Sequence, residues 1–517
     1  MRMKWLRATL GTVTVILLGG GGCTKLLDHE TKQCQTDADC EHFLHHPRCD
    51  TQQAICVATG FQPAKCFFPE PPVKVPETLA QFLNVCTLNA LPGGREDGPG
   101  NCASFQTQYP DAGISDPPPA QPPPPNTRPA PTKLCRDLVP AGGSVLYLTG
   151  SSNFQPLLQE LAPTIIKNTG IRPVFRITTS CAGVRSMNTH HPMYPTDHFI
   201  RDPVLPTESY AQIFLGADPA VNCLLGSTTA GVAVDIGESE IYPATCDVDN
   251  NPDEISEGLG PILPIVFAVP RESTARVISA AAARQVFGGG GGVPPWTDPN
   301  FLYVRGSGTA TLRLVANEIG LVPEKVWGID KGSAGNVATS LTSSGSAAPL
   351  AIGILGSDYY DFVRGPLKAL GFQATAQDCA FVPDSSLTSL DKINVRDGHY
   401  PLWGRIHFYL AKVNNAIASE PGRQFVELLT RPDLDPEILD AFIAARFVPP
   451  CAMNVRRDSE LGPFTYQDPA PFSCACLFDA EVNPNKSAPP LGCTPCTSNG
   501  DCPAERPSCN YQYCEKS

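Results

Sequence analysis

The chain has 517 residues, more than one hydrophobic core usually serves, so several domains are expected. Hydrophobic residues make up 42% of it, which is enough to bury a sizeable core. The formal net charge of −13 argues against nucleic-acid binding through a basic surface. A local group of backbone N–H donors can still bind a small anion in an acidic protein.

The first 22 residues have the composition of an export signal. Three basic residues precede a mostly apolar run at 8–18, which is too short to span a bilayer. Four glycines then lead into Cys23, and small residues before a cysteine resemble a bacterial lipoprotein signal. The resemblance implies that Cys23 is lipidated and anchors the protein in the cell envelope. Because Thr24 follows it rather than an acidic residue, the outer membrane is favoured over the inner one. An ordinary secretory signal is the alternative.

The chain contains 21 cysteines, and 20 remain if Cys23 carries lipid. An even number suits disulfides in an oxidising compartment. Two groups of four share one arrangement: a cysteine, five residues, a cysteine, a proline-containing loop, a cysteine, a short loop and a cysteine. They are Cys34, Cys40, Cys49 and Cys56, and Cys496, Cys502, Cys509 and Cys514. This internal repeat predicts two small modules.

Each module has too few apolar residues to form a core, so we predict two disulfides within each group of four cysteines. Four cysteines leave three pairings open. Zinc is the alternative, with His42, His45 and His46 inside the first copy. The spacing lacks the usual Cys-x2-Cys step, and the second copy has no histidine. Disulfides are therefore the favoured interpretation.

Composition divides the rest of the chain. A proline-rich linker at 117–132 predicts extended polyproline II that reaches about 50 Å. The predicted units are a signal peptide (1–22), a Cys-rich module (23–60), an irregular region that contains the linker (61–135), a large domain (140–450) and a C-terminal Cys-rich module (451–517).

The large domain alternates predicted strands and helices. Strands are predicted at 144–150, 173–180, 232–237, 261–270, 301–306, 349–355 and 405–413. Helices are predicted at 156–168, 181–187, 273–287, 309–319, 424–430 and 436–447, the third capped by Ser273 or Thr274. Such alternation predicts an α/β fold with parallel strands covered by helices on both faces. Because the domain is about 300 residues long, we expect it to divide into two lobes.

One loop in this domain has the composition of an anion site. RGSGT, at 305–309, follows a predicted strand and precedes a predicted helix. Its glycines allow a close backbone approach, and Ser307 and Thr309 offer hydroxyls. The N–H groups and the dipole of the helix favour an anion at this place. Arg305 adds a guanidinium group that can donate two parallel hydrogen bonds. A simple helix cap by Ser307 or Thr309 is the alternative.

Other predicted strand ends carry similar loops, and together they resemble a family. GSSNFQPL, TSCAGV, DIGESE, ARQVFGGGGGVPPWTDPN, RGSGT, LAIGILGSDYYD and RDGHYPLWGRIHFYL occur in this order. Across roughly 144–450 the chain resembles the periplasmic phosphate-binding proteins of ABC importers, which have the type 2 periplasmic binding protein fold. That fold implies two lobes joined by crossover strands, with lobe one at 140–262 and 410–450 and lobe two at 263–409.

The resemblance also implies a ligand site between the lobes. Its residues would be Ser152, Asn153, Phe154, Ser180 and Glu240 from lobe one, and Arg305, Ser307, Gly308 and Thr309 from lobe two. Glu238 and Asp235 are rivals of Glu240 as the acidic group. Cys181 stands where the family has a glycine, and a disulfide there would constrain the loop.

We therefore predict a lipid-anchored, exported solute-binding protein for phosphate or a similar small oxyanion, used for uptake or sensing, with an ABC transporter permease as a possible partner. No cofactor or metal is predicted. A catalytic triad could in principle be drawn from Ser151, Ser307, His399 and Asp397. The sequence lacks the G-x-S-x-G nucleophile-elbow motif, however, so we predict that the protein is not an enzyme. The alternative is a surface interaction or scaffold lipoprotein with a degenerate binding fold. Arg305 and Glu240 pointing into one cleft would favour binding.

Overall fold

The computed structural model describes residues 36, 38, 48–50, 55–57 and 130–516, with gaps at 188–197, 205–207, 249–250, 376, 378–379, 461, 467–471, 484–488 and 491. The predicted export signal, Cys23 and the proline-rich linker lie outside the described residues. Cys34 and Cys40 of the first Cys-rich module also lie outside them.

The strands of the described residues are β1 Arg48–Asp50, β2 Ile55–Val57, β3 Ser144–Gly150, β4 Ile171–Ile177, β5 Phe199–Ile200, β6 Ala211–Ile213, β7 Val221–Cys223, β8 Val232–Ala233, β9 Ile236–Ser239, β10 Ile255–Pro270, β11 Val277–Ser279, β12 Leu302–Val304, β13 Ile329–Asp330, β14 Ile352–Gly356, β15 Leu367–Ala369, β16 Gly371–Gln373, β17 Trp403–Val413, β18 Ala416–Ile417, β19 Val455–Arg456, β20 Thr465–Tyr466, β21 Ser508–Asn510 and β22 Tyr513–Glu515. The α-helices are α1 Phe154–Thr169, α2 Ser180–Met187, α3 Ala280–Gly288, α4 Ala310–Glu318, α5 Ala334–Thr342, α6 Ser357–Tyr360, α7 Ile393–Arg396, α8 Glu420–Thr430, α9 Pro436–Ala444 and α10 Ala475–Val482.

One twelve-stranded mixed sheet runs through the large domain, in the order β13-β12-β14-β10-β17-β9-β3-β4-β6-β7, with β15 on β10 and β18 on β17. In one half, β3 pairs in parallel with β4 and β9. In the other half, β12 pairs in parallel with β13 and β14. The predicted parallel strands are thus present in each half, and the crossover strands implied by the resemblance are β10 and β17, which pair antiparallel at the centre.

Strands β10 and β17 join the two halves. Their pairing runs from Ile255↔Ala411 to Pro264↔Trp403, with a register shift between Leu259 and Ile262. The halves on either side are lobe one (β9, β3, β4, β6 and β7) and lobe two (β14, β12, β13 and β15). The predicted two-lobed α/β fold is confirmed, and the strand ends of both lobes meet beside the crossover.

Helix α1 shows why the apolar periodicity was informative. Its apolar residues Leu157, Leu158, Leu161 and Ile165 are buried in lobe one. Phe154, at the start of the helix, packs edge-on against Phe175 and Phe408, with ring centroids 5.7 and 5.6 Å apart. Pro163 lies on the exposed side and does not end the helix, which stops at Gly170 in the left-handed conformation (φ 70°).

The predicted helix at 273–287 is wrong in its first part. Residues Val277–Ser279 form β11, which pairs in parallel with β16. Helix α3 begins only at Ala280, and the Ser279 hydroxyl accepts the Ala282 N–H, so Ser273 and Thr274 are not its cap. The β-branched Val277 and Ile278 favour a strand once a partner strand is available.

Six disulfides lie in the described part of the chain. Cys135–Cys223 and Cys181–Cys246 are within lobe one, and the second pair confirms that a disulfide holds the start of α2. The four others are C-terminal: Cys451–Cys474, Cys476–Cys493, Cys496–Cys509 and Cys502–Cys514. The last two confirm pairing within the C-terminal group of four.

The internal repeat has a structural counterpart. Strands β1 and β2 form a hairpin in which Cys49 lies opposite Cys56, and β21 and β22 form one in which Cys509 lies opposite Cys514. Within the described ranges, every helix is too short or too polar to span a lipid bilayer.

Candidate ligand site between the lobes

Loops from both lobes meet at the lobe interface. Lobe one supplies the loop between β3 and α1, the start of α2 and the end of β9. Lobe two supplies the loop between β12 and α4, which is RGSGT. The Cys181 N–H donates to the Gly308 carbonyl at 3.3 Å. A Cβ on Gly308 would lie only 3.1 Å from the Thr179 hydroxyl oxygen, so glycine lets the loops approach this closely.

Arg305 crosses from lobe two to lobe one. It is only 3% exposed. Its Nη1 donates to Asn153 Oδ1 and its Nη2 to Ser152 Oγ, both at 2.7 Å. Its Nε has no hydrogen-bond partner although it is buried. Burial lowers the pKa of the guanidinium, and the negative charge of Glu240 opposes this effect. The planar guanidinium group of Arg305 is therefore buried at the interface between the two lobes.

Ser180 bridges the lobes beside this arginine. Its hydroxyl donates to Glu240 Oε2 at 2.7 Å and accepts the Ala310 N–H at 3.0 Å. The first N–H of helix α4 is therefore capped by a residue of the other lobe. Thr309 occupies the N-cap position of α4 without capping it, and its hydroxyl donates to the Gly306 carbonyl at 2.8 Å. A cap by Ser307 or Thr309 alone does not describe this helix start.

Two buried glutamates of lobe one lie close to each other, and Glu240 is the one connected to lobe two, through Ser180. Both Glu238 and Glu240 are fully buried. Glu238 Oε2 accepts the Ser151 N–H at 2.8 Å, and the Oε1 atom of each glutamate lacks a hydrogen-bond partner. Burial, and then the charge of Glu240, raise the pKa of Glu238 well above its usual value. The third candidate, Asp235, instead accepts the Tyr147 N–H at 2.8 Å on β3.

Asp358 is a further buried acid and was not among the predicted site residues. It lies in the first turn of α6, directly after β14, and is 4% exposed with Oδ1 unpartnered. Burial raises its pKa to about 7; Arg305 opposes this effect and Glu240 adds to it. A Cβ on Gly356 would lie 2.2 Å from Asp358 Oδ1, so glycine makes room for the carboxyl group. Its signal in the sequence is an acid placed directly after an apolar strand, in ILGSD.

A second arginine, Arg313, holds the RGSGT loop in place through its hydrogen bonds. Arg313 of α4 donates through Nε to the Ser307 carbonyl and through Nη1 to the Thr245 carbonyl, both at 2.6 Å. Its Nη2 donates to Glu324 Oε1 at 2.9 Å. Thr245 is adjacent to Cys246, whose disulfide with Cys181 holds the start of α2. These bonds fix the RGSGT loop relative to lobe one.

The structure brings most of the predicted site residues together, namely Ser152, Asn153, Ser180, Glu240, Arg305, Ser307, Gly308 and Thr309. Phe154 differs, because its side chain lies in the core of lobe one. Its backbone N–H donates to the Ser151 carbonyl at 3.2 Å. Phe154 is thus placed to position the loop through packing, with only its backbone near the interface.

No protein-family model matches the chain, and no curated protein matches it. Solved structures match part of the chain. An ABC-type phosphate transport receptor from Vibrio cholerae is 12% identical, with a TM-score of 0.39, covering 59% of this chain and 100% of that one. PstS from Borrelia burgdorferi is 14% identical, with a TM-score of 0.34, covering 59% and 98%. The CcmR regulatory domain of Synechocystis PCC6803, in complex with 2-PG, is 12% identical, with a TM-score of 0.31, covering 56% and 96%. At these values the similarity indicates no ligand for this protein.

Proposed function

We propose that this protein binds a small oxyanion, phosphate or one of similar size and charge, between its two lobes. The observation that carries the proposal is the buried Arg305 guanidinium, which lies at the interface beside the start of a nine-residue helix. A guanidinium offers donors in a planar fork that matches oxyanion geometry. The positive end of a helix favours negative charge at the same place.

The neighbouring groups suit such a ligand. Ser152, Asn153 and Ser180 are all within hydrogen-bonding reach of the Arg305 and Ala310 donors that an oxyanion would use. An oxyanion that enters between the lobes would compete for those donors and could accept from the serine hydroxyls. Arg305 is buried at this interface and interacts electrostatically with Glu240, which supports binding over a scaffold role.

Calorimetric titration with inorganic phosphate tests the proposal. Hydrogen bonds to a charged group contribute about 1.5–3 kcal/mol each. Ser307→Ala should therefore weaken binding roughly ten- to a hundredfold. Arg305→Ala should cost at least as much. Arg271→Ala is the matched control, because this exposed arginine of the same lobe donates to the Arg364 and Gly365 carbonyls and should leave affinity unchanged. Absence of oxyanion binding by the parent protein at millimolar concentration would reject the proposal.

We further propose that the protein is exported and lipid-anchored through Cys23 in the cell envelope, with the outer membrane favoured and an ABC permease as a candidate partner. The six disulfides support an oxidising compartment. Cys23→Ser should release the protein into the soluble fraction. A variant that still partitions into detergent like the parent would exclude the anchor.

One observation favours the alternative, a scaffold role. The segment from Val455 to Glu460 contacts both the crossover and lobe one. Arg457 lies over the Trp403 ring at 4.1 Å and donates to the Pro401 carbonyl. Glu460 accepts the Tyr242 N–H at 2.7 Å. Such a brace would fix lobe one against the crossover without a ligand, and a scaffold role would replace the first if the titration shows no binding.

A further inference from the structure

The segment that follows the large domain contacts both lobes as well as the crossover between them. We call residues 454–460 the strap, because this stretch runs from lobe two across the crossover to lobe one. Two charged residues of the strap, Arg457 and Glu460, are buried. Since charged side chains are rarely buried without partners, the strap is a fitted part of the fold.

The strap begins on lobe two. The Asn454 N–H donates to the Arg396 carbonyl at 2.9 Å, and Asn454 Nδ2 donates to Asp397 Oδ1 at 2.6 Å. Both partners lie at the end of α7, and Lys392 Nζ, just before α7, lies 2.7 Å from Asp361 Oδ2 at the end of α6 in lobe two. Because α7 is fixed to lobe two in this way, Asn454 moves with that lobe.

A disulfide lies beside the lobe-two end of the strap. Cys451, just before the strap, is bonded to Cys474 at the start of α10. Arg396 of α7 donates to Asp479 Oδ1 of α10 at 2.5 Å and to the Ala452 carbonyl at 2.8 Å. Lobe two therefore holds the chain on both sides of this disulfide, which makes the lobe-two end of the strap a firm attachment.

The strap ends on lobe one. Glu460 Oε1 accepts the Tyr242 N–H at 2.7 Å, and Glu460 Oε2 accepts the Thr245 hydroxyl. The Tyr242 hydroxyl also donates to the Arg457 carbonyl at 2.9 Å. Between the two ends, Arg457 is fixed on the crossover, where its Nη1 donates to the Pro401 carbonyl at 3.3 Å. The strap is thus attached to lobe one, the crossover and lobe two.

We propose that the strap restrains the two lobes in their closed arrangement, so that one of its end contacts must break before the lobes can separate. Asn454 and Glu460 are six positions apart, and Arg457 is held on the crossover between them, so the strap has little spare length. This restraint acts in the protein without a ligand. A second consequence, slow exchange of the bound oxyanion, rests on the proposed function.

The lobe-one end of the strap is connected to the RGSGT loop. Thr245, whose hydroxyl is held by Glu460, accepts Arg313 Nη1 of lobe two at its carbonyl, at 2.6 Å. The same arginine donates through Nε to the Ser307 carbonyl at 2.6 Å. Glu460 is therefore a positioning residue, because it acts on the loop through Thr245 and Arg313. Loss of Glu460 should loosen this contact between the lobes.

Single-molecule energy transfer between the lobes of the full chain tests the restraint. Dyes attached to non-natural amino acids at the exposed positions Ala217 of lobe one and Val322 of lobe two leave the disulfides intact. Glu460→Ala should add a population with a longer distance between the dyes. Each hydrogen bond lost to the carboxylate should raise the ratio of open to closed molecules about tenfold. Glu437→Ala is the matched control, because this exposed glutamate pairs with Lys167 within lobe one.

A second variant tests the same contact with less risk to folding. Thr245→Val keeps the size of the side chain and removes only the hydroxyl that Glu460 accepts, while the Thr245 carbonyl remains for Arg313. We expect the longer-distance population to appear in Thr245→Val as well, at a smaller fraction than in Glu460→Ala. Distance distributions in Thr245→Val and Glu460→Ala that equal the parent distribution would overturn the inference.

Release of radiolabelled inorganic phosphate tests the consequence for the site. We expect release from Thr245→Val to be about tenfold faster than from the parent, and release from Glu437→Ala to be unchanged. More frequent lobe separation with an unchanged release rate would overturn the link between the strap and ligand exchange. Failure of the parent to bind phosphate would reject the proposed function, whereas the distance measurement would still decide whether the strap restrains the lobes.

Discussion

Two clusters of buried charge in this protein differ in how their charges are balanced. The paired cluster consists of Arg364, Lys392, Asp361 and Asp384. Lys392 Nζ lies 2.7 Å from Asp361 and 2.9 Å from Asp384, and Arg364 Nη2 lies 2.6 Å from each of the same carboxylates. Two cations thus face two anions, and each carboxylate contacts both cations.

The site cluster consists of Arg305, Glu238, Glu240 and Asp358. It has one cation for three acids, and each of the four residues has a buried polar atom without a hydrogen-bond partner. Folding alone would favour a balanced cluster, since buried charges without partners are destabilising. We therefore expect the paired cluster to stabilise lobe two, whereas the site cluster, the proposed oxyanion site, has too few cations to balance its buried carboxyl groups.

The paired cluster should be the more sensitive to loss of a charge. Lys392→Met keeps the length of the side chain but leaves two buried carboxylates short of a cation. We expect the free energy of unfolding to fall by about 3–5 kcal/mol, measured by urea denaturation. Lys167→Met removes an exposed ion pair with Glu437 and should cost about 0–1 kcal/mol. Equal losses in the two variants would contradict the assignment of a stabilising role.

Loss of a charge should have the opposite effect in the site cluster. Removing one of its carboxylates should increase the stability of the folded protein, because the cluster has more acids than cations. Since the pKa of Asp358 is raised from 3.8 to about 7, the folded state binds its proton more tightly than the unfolded state. Stability therefore falls as pH rises from about 4 to 7 and then levels off, by up to about 4 kcal/mol.

Asp358→Asn should remove that part of the pH dependence. The variant should equal the parent in stability near pH 4 and exceed it at pH 8, as measured by denaturation at both pH values. If the stability of the parent does not fall relative to that of the variant between pH 4 and pH 8, Asp358 has an ordinary pKa. The proposed difference between the two clusters would then be weaker.

A smaller effect is expected from the hydroxyl that connects the site cluster to helix α4. Ser180→Ala leaves Glu240 Oε2 and the Ala310 N–H buried without this partner, which costs about 1–3 kcal/mol. Ser186→Ala is the matched control in the same helix, since its buried hydroxyl donates only to the Gly183 carbonyl one turn earlier. Thermal denaturation should show a larger loss for Ser180→Ala. The reverse order would exclude a bridge between the lobes.

Much of this arrangement was predictable from the sequence because it depends on local signals. Apolar periodicity indicated the strands and helices, and glycine and hydroxyl residues marked the strand ends where Ser152, Ser180 and Ser307 lie. The strand at Val277–Ser279 was missed because its partner β16 lies almost a hundred residues later in the chain. Short strands of this kind are specified by pairing more than by local propensity.

Asp358 and the charge balance around it were missed for a related reason. Nothing near residue 358 shows that the charges of Arg305 and Glu240 will act on it, because these residues are brought near one another only by the tertiary fold. The Cys135–Cys223 pairing, 88 residues apart, is likewise a tertiary property. Sequence can identify which residues are suited to a site, but it does not show which charges meet there.

The cap on helix α4 makes one backbone amide a reporter of lobe separation. The Ala310 N–H is bonded to Ser180 of the opposite lobe, so this bond breaks whenever the lobes part, even if each lobe remains folded. Exchange of this hydrogen for deuterium would then follow the frequency of opening, whereas amides in the middle of α4 would follow unfolding of the helix itself. The exchange rate of the Ala310 amide therefore reports how often the lobes separate, without an attached probe and without a known ligand.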